Sequence, residues 1–289
     1  MAVFLSASDE TLGASHRSPF RRCGFFAPVD DWERLSEAWE IKVLAGPPRI
    51  PFLHMVDIRR PEWRAKFGLS QSDADSRVDA AFELIAATPS LTPVGMGLNS
   101  GHVYDTFTKK VGISSGAGKK FVPDYVAFPG YVYAVLQFCH LQRPDAERVD
   151  FYIEKNGEIT DHLREFYDGL PTSFNYIGQP QLIPLLGDLI PAGKDRVPLQ
   201  AADVLCWHTR RYSEGNLDAK GLKRYAEIAS RIGPQWNLPD GYLDELWKGI
   251  NEEEFDAEPG ISKLQSGDEY DPPSRPKSGE SCDGSGEEG

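Results

Sequence analysis

Apolar and polar residues alternate from the start of the chain. In AVFLSASD, residues 2 to 9, side chains repeat with period two, so Val3, Leu5, Ala7 and Asp9 share one side of a predicted strand, with Asp9 at its carboxyl end. A second apolar run, CGFFAPV at 23 to 29, leads through Asp30 and Asp31 into Trp32, Leu35, Trp39 and Val43 at helical spacing, which predicts a strand followed by a helix. Prolines break GPPRIPFLHMVD, which reads as a short extended stretch presenting His54 and Asp57. Val78, Phe82 and Ile85 mark a helix from about Asp73 to Ala87, stopped by Pro89.

The stretch LTPVGMGLNS at 91 to 100 has strand character, and an apolar helix is expected near 130 to 142. In VDFYIE, residues 149 to 154, Val149, Phe151 and Ile153 face one way and Asp150, Tyr152 and Glu154 the other, so Glu154 also ends a strand. A helix of about 158 to 169 follows. QLIPLLGDLI at 181 to 190 reads as a strand with Pro184 at an edge or bulge. VPLQAADVLCWHTRRY reads as a helix with Pro198 in its first turn. Further helices are expected at about 218 to 231 and from Tyr242 to Ile250.

Charge changes this picture only at one end. The net charge is −13, but residues 251 to 289 hold −9 of it, so the body of the chain is near neutral. That excludes a protein gripping nucleic acid over its whole surface and leaves room for a local basic groove. Gly, Ser, Pro and acids make up 20 of the 24 residues from Ser266 to Gly289, too little apolar surface to offset the entropy of ordering them. The organisation expected is a globular domain over 1–250 and an acidic tail over 251–289, largely disordered from 266.

Cys23, Cys139, Cys206 and Cys282 form no CxxC pair, which speaks against a zinc knuckle or a disulfide scaffold and for a reducing, cytoplasmic setting. The amino terminus lacks the pattern of a signal peptide. Phe121 to Gln142 is free of Lys and Arg, but its continuous apolar part, Tyr131 to Leu141, is too short to cross a bilayer. No membrane association is expected.

The basic stretch KKVGISSGAGKK, residues 109 to 120, fails as a phosphate-binding P-loop: Ile113 stands where the first Gly is required and Lys120 where Ser or Thr is. It reads as a surface loop, and no nucleotide or organic cofactor is indicated. Cys206 and His208, two apart on a helix, do not face each other as a nucleophile and base would. Trp32, Trp39, Phe82 and Tyr131 fall at core spacing and read as packing.

Asp203 stands on or beside an apolar helix stripe with Leu199, Ala202, Cys206 and Trp207, where a carboxylate needs a pair, hydrogen bonds or a cation. A salt bridge to Arg210, Arg211 or Lys194 is the plain alternative. Asp9, Glu154 and Asp203 all sit where α/β folds gather groups at strand ends. Three acids there repel one another unless a divalent cation neutralises them, and oxygen ligands suit Mg²⁺ or Mn²⁺. His54 with Asp57 suits a proton shuttle beside such a site; the alternative is a backbone-bonded His54 and an Asp57 that caps the helix beginning near Arg59 and Pro61.

The residues SDET at 8 to 11, FLHMVD at 52 to 57, the strand end FYIE and KDRVPLQAADVLCW at 194 to 207 resemble the domain-of-unknown-function 3800 family over roughly residues 2 to 213. The resemblance implies a ribonuclease H-like α/β fold: a mixed five-stranded sheet flanked by helices. It also implies Asp9, Glu154 and Asp203 as catalytic metal ligands with Glu10 as an extra ligand, Gln200 lining the crevice and Lys194 contacting phosphate. The turn departs from the family pattern, since Thr11 and Leu12 follow Glu10 and Gly13 comes one place late. Asp150 and Glu158 compete with Glu154 for the second position. The function implied is a metal-dependent nuclease or phosphodiester hydrolase, with Lys109, Lys110, Lys119, Lys120, Arg210 and Arg211 on the nucleic-acid backbone. The alternatives are a silent accessory module, for example in phage defence or mobile-element biology, and a small-molecule hydrolase marked by a deep apolar pocket.

Overall fold

The computed structural model describes residues 2–11, 19–99, 118–231 and 235–237. The basic loop at 109–117, with Lys109 and Lys110, the helix expected at Tyr242 to Ile250 and the acidic tail lie outside the described residues, as do the side chains of Lys119 and Lys120.

Strand β1 (Ala2–Thr11) runs antiparallel to β2 (Pro19–Pro28) and parallel to β4 (Ala146–Glu154). Beyond β2 lies antiparallel β3 (Thr92–Asn99), and beyond β4 lies parallel β5 (Leu186–Ala192). The expected mixed sheet of five strands is therefore present in the order β5-β4-β1-β2-β3, and a sixth strand, β6 (Gln235–Asn237), extends it parallel to β3. Three residues are too few to leave a period-two pattern in the sequence.

Alternation along β1 divides the molecule into two cores. Phe4 joins Phe26, Phe128, Val149 and Phe151 under α5 (Gly118–Gln142) and α6 (Gly157–Tyr176). Leu5 joins Phe25, Trp32, Trp39 and Phe82 on the opposite face, under α1 (Val29–Trp39), α4 (Gln71–Ala87) and α7 (Val197–Ser213). The short helices α2 (Met55–Ile58) and α3 (Pro61–Phe67) lie in the connection between α1 and α4, and α8 (Ala219–Ala229) follows α7. Ser70 caps α4 through a reciprocal box with Asp73.

Two segments differ from the sequence reading. Residues 181 to 190 are not one strand: Pro180–Leu185 form a 3-10 turn and only Leu186 onward pairs with β4, because Pro184 has no N–H to give to a ladder. Helix α5 begins well before residue 130 and passes through Pro123 and Pro129. Burial of Ala127, Phe128, Tyr131, Val132 and Val135 against the sheet outweighs the lost hydrogen bonds. Among the described residues no helix is long and apolar enough to cross a membrane.

Gly24 shows how closely the central strands approach. A Cβ there would lie 1.8 Å from the Ala7 carbonyl oxygen, so no larger residue fits without moving β1. Ala201 and Ala202, both fully buried, let α7 lie close over β1 and β2. His208, further along α7, is packed edge-on against Phe82, and its Nδ1–H donates to the Val204 carbonyl at 2.8 Å. Burial pushes its pKa down to about 4.

The neutral imidazole therefore makes the fold sensitive to acid. Below the ordinary histidine value of about 6.5 the unfolded chain gains a proton that the folded one refuses, so this contribution is present above that pH and is lost as pH falls toward 4. Urea unfolding at pH 7.5 and pH 5 should show about 2 kcal/mol less acid destabilisation in His208→Gln than in wild type. An identical pH dependence in the two proteins would contradict this account.

Candidate functional site

The site is assembled at the carboxyl ends of β1 and β4. These strands run parallel with Ala7 opposite Tyr152 in register, so two residues further on Asp9 and Glu154 stand side by side on one face. Helix α7 crosses that face and brings Gln200 and Asp203, one helical turn apart, onto the same crevice. Its hold on β1 is direct, since the Cys206 thiol donates to the Asp9 carbonyl at 3.3 Å. Lys194 follows β5, two residues beyond Ala192, the register partner of Glu154. Asp9, His54, Glu154, Lys194, Gln200 and Asp203 line one pocket whose free space is about that of one water.

His54 reaches the pocket because α7 grips the backbone on both sides of it. Gln200 Oε1 accepts from the Leu53 N–H at 2.9 Å, and Asp203 Oδ2 accepts from the Met55 N–H at 2.6 Å. The extended conformation of His54 lets both neighbouring N–H groups point at the helix. The rest of Gln200 is used as well: Oε1 also accepts from Trp39 Nε1 at 2.9 Å, and Nε2 donates to the Asp195 carbonyl at 3.2 Å. This residue thus joins α1, the His54 segment and the Lys194 turn. Its role in the structure is that of a clamp, beyond the crevice lining expected of it.

Electrostatics mark Asp9 and Asp203. Burial, then Asp203 and Glu154, hold the Asp9 carboxyl well above the usual carboxylate range. Burial likewise pushes Asp203 up to about 7, against the Met55 N–H and a hydrogen bond with Asp9. Two hydrogen-bonded carboxyls share a proton unless a cation compensates them. His54 is lowered by burial and by Lys194 and is neutral at neutral pH. Its Nδ1 lies 2.9 Å from Asp57 Oδ2 but off the hydrogen-bond direction, while Nε2 lies 3.4 Å from Lys194 Nζ and 4.0 Å from Asp203 Oδ1. Lys194 Nζ also lies 3.5 Å from Glu154 Oε1.

The other expected residues fall outside the pocket. Glu10 points to the opposite face, as alternation requires, and pairs with Arg22 at 3.2 Å. Asp57 lies beside His54 and pairs with Arg60, and α3 has no side-chain cap, so the capping alternative is not what the structure shows. Asp150, a competitor of Glu154, accepts from the Asp188 N–H at 2.9 Å and pairs with Arg148. The side chain of Glu158 lies outside the described ones. Arg210 and Arg211 are two turns from Asp203, about 10 Å along the helix axis, where Arg210 nears Glu214 and Arg211 covers Trp207. The salt bridge from Asp203 to either arginine is therefore absent.

One network had no counterpart in the sequence reading. Arg22, fully buried, donates through Nε and Nη2 to Asp124 at 3.0 and 2.7 Å and through Nη1 to Ser8 at 3.1 Å. It lies directly opposite Glu10 in the β1–β2 register. The signal available was Arg22 inside an apolar run, which needs buried acids as partners.

Comparison with known protein families, with characterised proteins and with solved structures finds no match. Fold and site together define an α/β protein with a carboxylate pocket at the carboxyl edge of its parallel strands. Among the described residues no group of three or more His, Cys, Asp and Glu stands at metal-ligand spacing. The donor chemistry nevertheless suits a hard divalent cation: half-buried Asp9 and buried Asp203 offer paired carboxylate oxygens, with Glu154 on the pocket wall.

The clamp makes Gln200→Met a sharp test. That change leaves the buried Leu53 and Trp39 N–H groups without an acceptor, so urea unfolding should register a loss of roughly 2 to 5 kcal/mol. A loss within about 0.5 kcal/mol, the range of ordinary surface changes, would show that these bonds do not hold the segment.

Proposed function

We propose that this chain is a Mg²⁺- or Mn²⁺-dependent phosphodiester hydrolase with a ribonuclease H-like domain, acting on nucleic acid. The observation that carries the reading is the hydrogen-bonded pairing of Asp9 with buried Asp203 on a crevice shared with Glu154. The strand order β5-β4-β1-β2-β3, with antiparallel β2 and parallel β4 flanking β1, supports the architecture that the sequence motifs imply.

Asp9 and Asp203 would hold the cation and Glu154 would complete its oxygen ligands. Such a cation would supply activation of a water and neutralisation of the charge that develops on a phosphodiester. His54 is neutral at neutral pH, and its Nε2 faces the pocket, where it accepts a proton; Asp57 at Nδ1 steadies the imidazolium that results. Gln200 and Asp203 fix the backbone on either side of that imidazole. The small free space among the acids favours a substrate lying across the crevice over a small molecule enclosed in it.

The reading as a silent accessory module is favoured by one observation, the engagement of Glu154 with Lys194 in place of the other acids. Calorimetry with Mn²⁺ separates binding from its absence. Asp9→Asn and Asp203→Asn should each weaken Mn²⁺ binding by at least about tenfold, or 1.4 kcal/mol, and abolish cleavage of single- or double-stranded DNA or RNA. Equal affinity in the variants and wild type rules out the metal site; tight binding with no cleavage of any of the four substrates selects the silent module.

A further inference from the structure

We propose that Lys194 is the built-in counter-cation of this pocket: its ammonium takes the place in the charge balance that a divalent cation would fill, and cation binding displaces it. The inference rests on the metal-site reading above and adds a regulation of that site.

The geometry is specific. Lys194 Nζ lies 3.5 Å from Glu154 Oε1 and 3.4 Å from His54 Nε2, on the pocket wall shared with Asp9 and Asp203. The ammonium thus stands between Glu154 and the imidazole of His54. Glu154 is turned to Lys194, which accounts for three acids lining one crevice without standing at mutual ligand spacing. The field of Lys194 also lowers Asp203, so its charge is felt across the pocket.

The fold lets the side chain leave while the turn stays. Arg196 N–H donates to the Gly193 carbonyl at 3.1 Å, and Gln200 Nε2 donates to the Asp195 carbonyl at 3.2 Å, which pins the backbone on both sides of Lys194. The Lys194 side chain is itself 37 % exposed, so its flexible stem can swing the ammonium into water. A divalent cation and an ammonium in one small pocket repel, and the mobile partner yields.

Mn²⁺ calorimetry on the full chain tests this with Lys194→Met, which removes the charge at similar length, and Lys194→Arg, which keeps it. Lys194→Met should bind Mn²⁺ at least about tenfold more tightly than wild type, while Lys194→Arg stays within about threefold of it. Unchanged or weaker binding by Lys194→Met overturns the inference. Asp203→Asn distinguishes the two levels: if it weakens Mn²⁺ binding and Lys194→Met changes nothing, only the lysine inference fails. If wild type binds no Mn²⁺, binding gained by Lys194→Met supports the inference, and silence in both overturns it together with the metal-site reading. Unaltered far-ultraviolet circular dichroism and unfolding midpoint confirm that each variant is folded.

Discussion

The pairing of the half-buried Asp9 carboxyl with the buried Asp203 carboxyl, beside Glu154, is the constraint to which the surrounding structure answers. Burial raises both carboxyls and Asp203 raises Asp9 further, while the hydrogen bond between them lowers Asp203, so the two hold a proton in common. What holds them is distributed around them: the Cys206 thiol on the Asp9 carbonyl, the Met55 N–H on Asp203 and the Gln200 carboxamide bonded to three segments at once. Stability is therefore invested in a place that opposes it. Sites of that kind are where functional chemistry concentrates, because an arrangement costly to the folded state persists when it serves a ligand.

Alternation along β1 explains how a near-neutral body accommodates so many buried ions. Odd-numbered residues carry Leu5 and Asp9 to the α7 face, and even-numbered ones carry Phe4 and Glu10 to the α5 face. On the α5 side Arg22 is enclosed by Asp124, Glu10 and Ser8, so its charge is balanced within one network. On the α7 side Lys194 lies 3.5 Å from Glu154, and its side chain is half-exposed. The first arrangement is closed on itself; the second is the one proposed to exchange its ammonium for a divalent cation.

Much of this was legible from local pattern. Period two in β1 and β4 placed Asp9 and Glu154 at strand ends and on the correct faces, and a carboxylate among Leu199, Ala202 and Cys206 singled out Asp203. The same period, applied one residue further, already separates Glu10 from Asp9; the family resemblance drew them together and the strand geometry does not. What stayed hidden was long-range. Nothing near Gln200 announces that Trp39, Leu53 and Asp195 meet at its carboxamide, and nothing near Arg22 announces Asp124, 102 residues away. The strand expected at 181 to 190 was misjudged in its first half because apolar composition does not distinguish a strand from a proline-stiffened turn.

The central claim, that contacting carboxyls of Asp9 and Asp203 form a cation site, is tested most directly by anomalous diffraction from crystals soaked in Mn²⁺. The account predicts a peak between the two side chains, with carboxylate oxygens of both at about 2.0 to 2.6 Å. A well-occupied Mn²⁺ elsewhere with no density between Asp9 and Asp203 would contradict it.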